Sequence, residues 1–272
     1  MITNIVGHIL GLIIGISLGL IGGGGSILAT PVLIYVMQVE KKAAIAMTLV
    51  IVGVASVIGV ISHWLQKNVN WQAVVAFSPS SMVGAYLGAR VATLPFVIPE
   101  VQLVILGVMM VIAAIGMIRR KPEEVLVPVP EQIEELAEAA VVVSVPAKKD
   151  GFHIPRWLKI ALEGFGVGFL SGLVGIGGGF LVIPALVLLG NLPMKEAVGT
   201  SLVIIALKSA TGFAGYFGSV TISTELMVSF TFVASLGIIL GSYLSRFVSA
   251  EQLEKGFGYF VLAVAAIVLI KR

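Results

Sequence analysis

An all-α integral membrane protein of two homologous halves is the fold class this sequence predicts, and three observations predict it. The chain is 58% hydrophobic and only 11% charged, with a mean hydropathy of +1.10, where an average soluble domain carries about 25% charged residues. Its apolar residues fall into about eight blocks, each near the roughly 20 residues a helix needs to cross a bilayer. One stretch also occurs twice: residues 15–33 read GISLGLIGGGGSILATPVL and residues 168–186 read GFLSGLVGIGGGFLVIPAL, at a constant offset of 153.

The first half (1–118) holds the blocks Ile5–Met37, Ala43–Leu65, Ala73–Leu94 and Val101–Ile118. The second (159–272) repeats them as Ile160–Leu189, Ala197–Phe217, Leu226–Phe247 and Gly256–Ile270. The offset carries past the glycines: Met47–Ile51 aligns with Thr200–Ile204, and Gly84 and Gly88 align with Gly237 and Gly241. Residues 119–158 form the substantial polar segment, holding 13 of the 31 charges and five prolines. Its EQIEELAEAAVVV stretch could form a short acidic helix, and the segment reads as a solvated linker joining duplicated halves.

The opening block of each half is too long. Ile5–Met37 as one helix would reach about 50 Å, against a hydrocarbon core of about 30 Å. It is either a tilted, broken span or a hairpin turning at the glycines. A hairpin gives inverted repeats, a single span parallel ones. With Lys208 set aside, the hairpin puts 11 of 16 basic residues on the linker's side and the single span 10, so inverted repeats are narrowly favoured and the linker is expected in the cytoplasm either way.

In a membrane protein, an apolar run broken by glycines is how a discontinuous helix marks a midplane site. Gly11, Gly15 and Gly19 have the four-residue spacing of packing glycines. Gly22–Gly25 occupy every helix face and should break the helix, which irregular backbone at membrane depth permits only inside protein or around a cavity. Helices restarting near Ser26 and Phe180 would turn N–H groups inward, and such ends favour anions. Lys208 sits mid-block, costs at least about 2.5 kcal/mol to insert there, and has Ala55 as its repeat counterpart. It is expected to contact substrate or a coupling ion. Thr48, Thr200 and Ser201 stand out among the hydroxyls because they fall in the aligned stretches Met47–Ile51 and Thr200–Ile204. His63, beside Trp64 and Trp71, reads as an interfacial anchor, and Arg90 as a topology residue.

Other chemistries find no support. The basic residues are too scattered for nucleic acid. With no cysteine, disulfides and thiolate metal sites are excluded. The three histidines lack metal-ligand spacing, and no nucleophile motif or carboxylate pair suggests an enzyme. No cofactor is expected. The N-terminal MITNIVGHILGL lacks a basic n-region, and its duplicate lies deep in the chain, so it reads as mature structure.

The doubled GLIGGGGSILATPVL and GLVGIGGGFLVIPAL, each followed about 15 residues later by MTLV or GTSLVI, resemble the TauE/SafE family of sulfite exporters. ISHWLQKNVNW, GAYLGARVA and GSYLSR are similar to further family segments, so the resemblance covers nearly all the chain except the linker. It implies a multi-pass inner-membrane protein moving sulfite or an organosulfonate such as sulfoacetate outward; protons are a further expected partner because sulfite's second ionisation lies near neutral pH. The Gly22–Gly25 run lacks the interruption that Ile176 supplies in the second copy, and the linker is long for the family. The expected anion site comprises Gly24, Gly25, Ser26, Thr48, Gly178, Gly179, Thr200, Ser201 and Lys208. An anion channel, or a membrane receptor or assembly partner working through the linker, are the alternatives.

Overall fold

Long apolar blocks with capping residues at their starts should fold as helices, and they do. The computed structural model describes residues 2–94, 99–119, 156–174, 179–190 and 192–270, and all regular structure among them is helical. The first half contains α1 (Ile2–Ile21), α2 (Ser26–Pro31), α3 (Lys41–Leu65), α4 (Trp71–Ala92) and α5 (Pro99–Arg119). The second contains α6 (Arg156–Val174), α7 (Gly179–Pro184), α8 (Met194–Tyr216), α9 (Thr224–Leu244) and α10 (Ala250–Ile270). Asn70 caps α4 by accepting the Ala73 N–H at 3.0 Å, and Ser249 and Gln252 form a reciprocal capping box before α10, at 3.3 and 3.2 Å. The interior of the linker, with its expected acidic helix, lies outside the described residues.

The first block is a hairpin. Gly22–Gly25 wind into a tight 3₁₀ turn, and Gly22 has φ +71°, a left-handed conformation that glycine takes without strain. The chain then doubles back along α1: Gly25 lies on the backbone of Ile14 and Leu18, and Met37 reaches Gly7. Pro31 has no N–H to donate, and the turn after it, Val32–Val36, widens to π-helical bonding. Pro184 and Ala185–Leu189 repeat that arrangement.

The two halves interlock. The most extensive helix pairs are α4 with α6 and α1 with α9, each joining one half to the other. Both are glycine seams: Gly15 and Gly19 meet Ala234 and Ile238, and Gly84 and Gly88 meet Phe165 and Phe169. The order of these contacts makes each pair parallel. Between α3 and α8 the order reverses, since Gly53 meets Ser209, Gly59 meets Leu202 and Gly199 meets His63. Those two repeat-equivalent helices therefore cross antiparallel. α5 packs on α10.

The exterior is apolar. Ile9, Ile13, Val57, Ile61, Phe232 and Leu240 are all exposed, on a surface suited to lipid rather than water. By length and composition, Lys41–Leu65, Met194–Tyr216 and Thr224–Phe247 could each cross a membrane.

Candidate functional site

The glycine turns of the two halves meet inside the bundle. Gly23 lies backbone to backbone against Gly179, while Gly22 faces the Ser201 hydroxyl and Gly24 the ring of Phe257. A side chain at any of these positions would force the segments apart, so the glycines serve close approach as well as turning. Ser26 closes the turn on itself, its hydroxyl donating to the Gly23 carbonyl at 2.6 Å; its N–H also bonds that carbonyl.

The predicted hydroxyls form separate contacts. Thr30 donates to Thr48 at 3.0 Å and Thr48 to the Ala44 carbonyl at 2.8 Å. Ser201 donates to the Val198 carbonyl at 2.7 Å. Thr200 accepts the Asn70 N–H at 2.9 Å, which ties α8 to the connection between α3 and α4. The structure thus brings Gly22, Gly23, Gly179 and Ser201 together, pairs Thr48 with Thr30, and turns Thr200 toward the end of the bundle. Gly178 lies outside the described residues.

Lys208 is 1% exposed, and its Nζ donates to the Ser171 hydroxyl on α6 at 2.9 Å. The counterparts of this pair in the first half are Ala55 and Leu18, so both partners depart from the repeat together. Ser171 was not singled out from sequence, although a polar residue replacing an apolar repeat position was the available signal. Ser56 and Ser209 occupy equivalent positions on α3 and α8, both buried with hydroxyls lacking a hydrogen-bond partner among the described residues. A buried hydroxyl left so costs about 1–3 kcal/mol. Where α3 and α8 cross, an apolar core therefore holds a lysine and several hydroxyls.

A second repeat-related pair braces the helix ends. His63 Nε2 donates to the Gly19 carbonyl at 3.0 Å and the Tyr216 hydroxyl to the Gly172 carbonyl at 3.1 Å; both donors and both acceptors match at the offset of 153. His63 is not an interfacial anchor. It is 1% exposed, while Trp64 faces outward, because neighbouring residues on a helix point about 100° apart.

At the end of the bundle where α4, α6 and α8 begin, Asn70, Gln72, Phe77, Glu163 and Glu196 line a cavity of about 590 Å³. Asn70 connects this opening to Thr200. Among the described residues no group of three His, Asp or Glu side chains could hold a metal ion.

The family described as sulfite exporter TauE/SafE matches residues 8–268. The chain belongs to the TauE/SafE family. A "Probable membrane transporter protein" of Xylella fastidiosa is 31% identical over 263 residues, covering 94% of this chain and 91% of its own. Proteins of the same description from Methanocaldococcus jannaschii and Bacillus subtilis are each 28% identical, covering 80% and 88% of this chain and 72% and 87% of theirs. No solved structure matches. This TauE/SafE protein is a multi-pass membrane transporter, not an enzyme.

Proposed function

We propose that the protein exports a small sulfur oxyanion, sulfite or an organosulfonate such as sulfoacetate, across the inner membrane by alternating access. Lys208 carries the reading: a cation buried at 1% exposure on a central helix of a TauE/SafE transporter. Its insertion cost of at least about 2.5 kcal/mol is offset when an anion sits beside its ammonium group. Ser171, whose hydroxyl accepts from Lys208, and the hydroxyls of Ser56 and Ser209, unpartnered among the described residues where α3 and α8 cross, offer O–H groups to it. N–H groups after Gly25 and Gly179, with Gly24, Gly178, Ser26, Thr48, Thr200 and Ser201, complete the ligand set as the crossing segments part.

The antiparallel crossing of α3 and α8 and the returning hairpin support inverted repeats, halves at 1–118 and 159–272, and a cytoplasmic linker. Proton coupling fits sulfite, whose second ionisation lies near neutral pH.

Proteoliposomes loaded with sulfite test the reading. Lys208→Ala should lower saturable efflux at least about tenfold, the loss of one charge-assisted contact. Unchanged affinity and rate in that variant would remove Lys208 from the site.

A further inference from the structure

We propose a second anion site, at the end of the bundle where α6 begins, built by His63, Lys195 and Arg246 and shaped for a small oxyanion that still carries one proton. As a place where substrate is first captured it rests on the anion-transport reading; as a binding site it rests on the geometry alone.

The site is a cavity of about 20 Å³ bordered by His63, Gln66, Asn68, Lys195 and Arg246. A water needs roughly 10–15 Å³, so one oxygen atom fits within and the rest of a larger anion stays in the mouth. Lys195 lies in the first turn of α8, whose leading N–H groups add partial positive charge. Arg246, exposed just past α9, rests over the Tyr243 ring at 5.5 Å. Neither cation forms an ion pair among the described residues, and no carboxylate lines the cavity. The charged or titratable groups facing it are His63 from α3, Lys195 from α8 and Arg246 after α9, while α1 and α10 contribute Leu20 and Leu253.

His63 decides what the site prefers. Its Nε2 carries a proton, because it donates to the Gly19 carbonyl. Its Nδ1 is buried without a hydrogen-bond partner among the described residues. In the neutral ring that atom is an acceptor. The equivalent Tyr216 braces its own helix with a hydroxyl and has no second ring atom to satisfy. Bracing therefore accounts for Nε2 and leaves Nδ1 unexplained. At the repeat-equivalent positions Arg246 corresponds to Thr93 and Asn68 to Thr221, so the constellation belongs to one end. A monoanion bearing one O–H satisfies all three groups: the hydroxyl enters the cavity and donates to Nδ1, and the remaining oxygens face Lys195 and Arg246. Hydrogen sulfite has this composition. A sulfonate has the oxygens without the hydroxyl.

Isothermal titration of the full-length protein in detergent with sulfite and with methanesulfonate tests the proposal. At about pH 6, sulfite should bind about tenfold tighter than methanesulfonate, a difference of about 1.4 kcal/mol. The advantage should shrink toward about pH 8 as sulfite loses its proton. His63→Tyr, which keeps a donor for Gly19 as Tyr216 does for Gly172, should erase the preference. Lys195→Gln and Arg246→Gln should weaken both anions about tenfold; both side chains reach the surface, so these variants keep the test decisive if His63→Tyr does not fold. Equal binding of the two anions by the wild type, or wild-type binding in Lys195→Gln and Arg246→Gln, overturns the site. Binding lost in Lys208→Ala alone also overturns it and leaves the central reading standing. Binding that survives Lys208→Ala but not the end-site substitutions supports it, whatever the transport assay returns.

Discussion

At the scale of single residues, the informative positions are those where one half departs from the other. Lys208 and Ser171 replace Ala55 and Leu18 and bond each other, so the two departures make one feature. Lys208 was legible in the sequence because a mid-block cation has a large, unavoidable cost. Ser171 was harder to read, because membrane serines ordinarily bond their own backbone and its signal appears only against the repeat, while Ser56 and Ser209 are repeat equivalents that the same comparison would have paired. Tyr216 and His63 differ in chemistry yet perform one task, which no single-residue rule anticipates. Tyr216→Phe deletes only the hydroxyl that donates to Gly172. It should lower stability by about 0.5–1.5 kcal/mol without changing the helix content, as thermal unfolding followed by circular dichroism would report. No loss of stability would mean that the brace contributes nothing.

At the scale of elements, glycine spacing identified seams but not their partners. The i, i+4 pattern at Gly11, Gly15 and Gly19 marks a face for close packing, and it cannot say that α9 from the other half occupies it. The break at Gly22–Gly25 was legible because four glycines leave no helix face intact. Whether the chain crossed or returned was not, since a 33-residue apolar block accommodates both. Gly19→Leu places a branched side chain against the α9 backbone, where Gly19 already meets Ile238 and Gly241. It should prevent recovery of a monodisperse protein on size exclusion, since overpacking a close seam costs several times the usual 1–3 kcal/mol when backbone cannot yield. Gly166→Ala is the matched control: no atom lies within 4 Å of the added carbon, and its elution should match wild type. If Gly19→Leu were also unaffected, the seam would be looser than drawn.

At the scale of the whole molecule, the absence of cysteine makes sidedness directly measurable. Single cysteines at Lys67, Lys195 and Arg246 should react with a membrane-impermeant maleimide from one side, and a cysteine at Lys42 from the other. Lys42 and Lys195 are repeat equivalents, so labelling from the same side would exclude inverted repeats. The all-helical class was readable from sequence because apolar blocks of spanning length leave no other choice. The interlocking was not, because repetition is silent about which copy packs on which. That interlocking has a consequence for biosynthesis. The glycine faces of α1 and α4 are completed by α9 and α6, whose residues begin at 224 and 156. A ribosome inserts α1 more than 200 residues before its partner exists, so until then only lipid or an insertion chaperone can cover the seam. The first half reaches the bilayer as an unfinished surface.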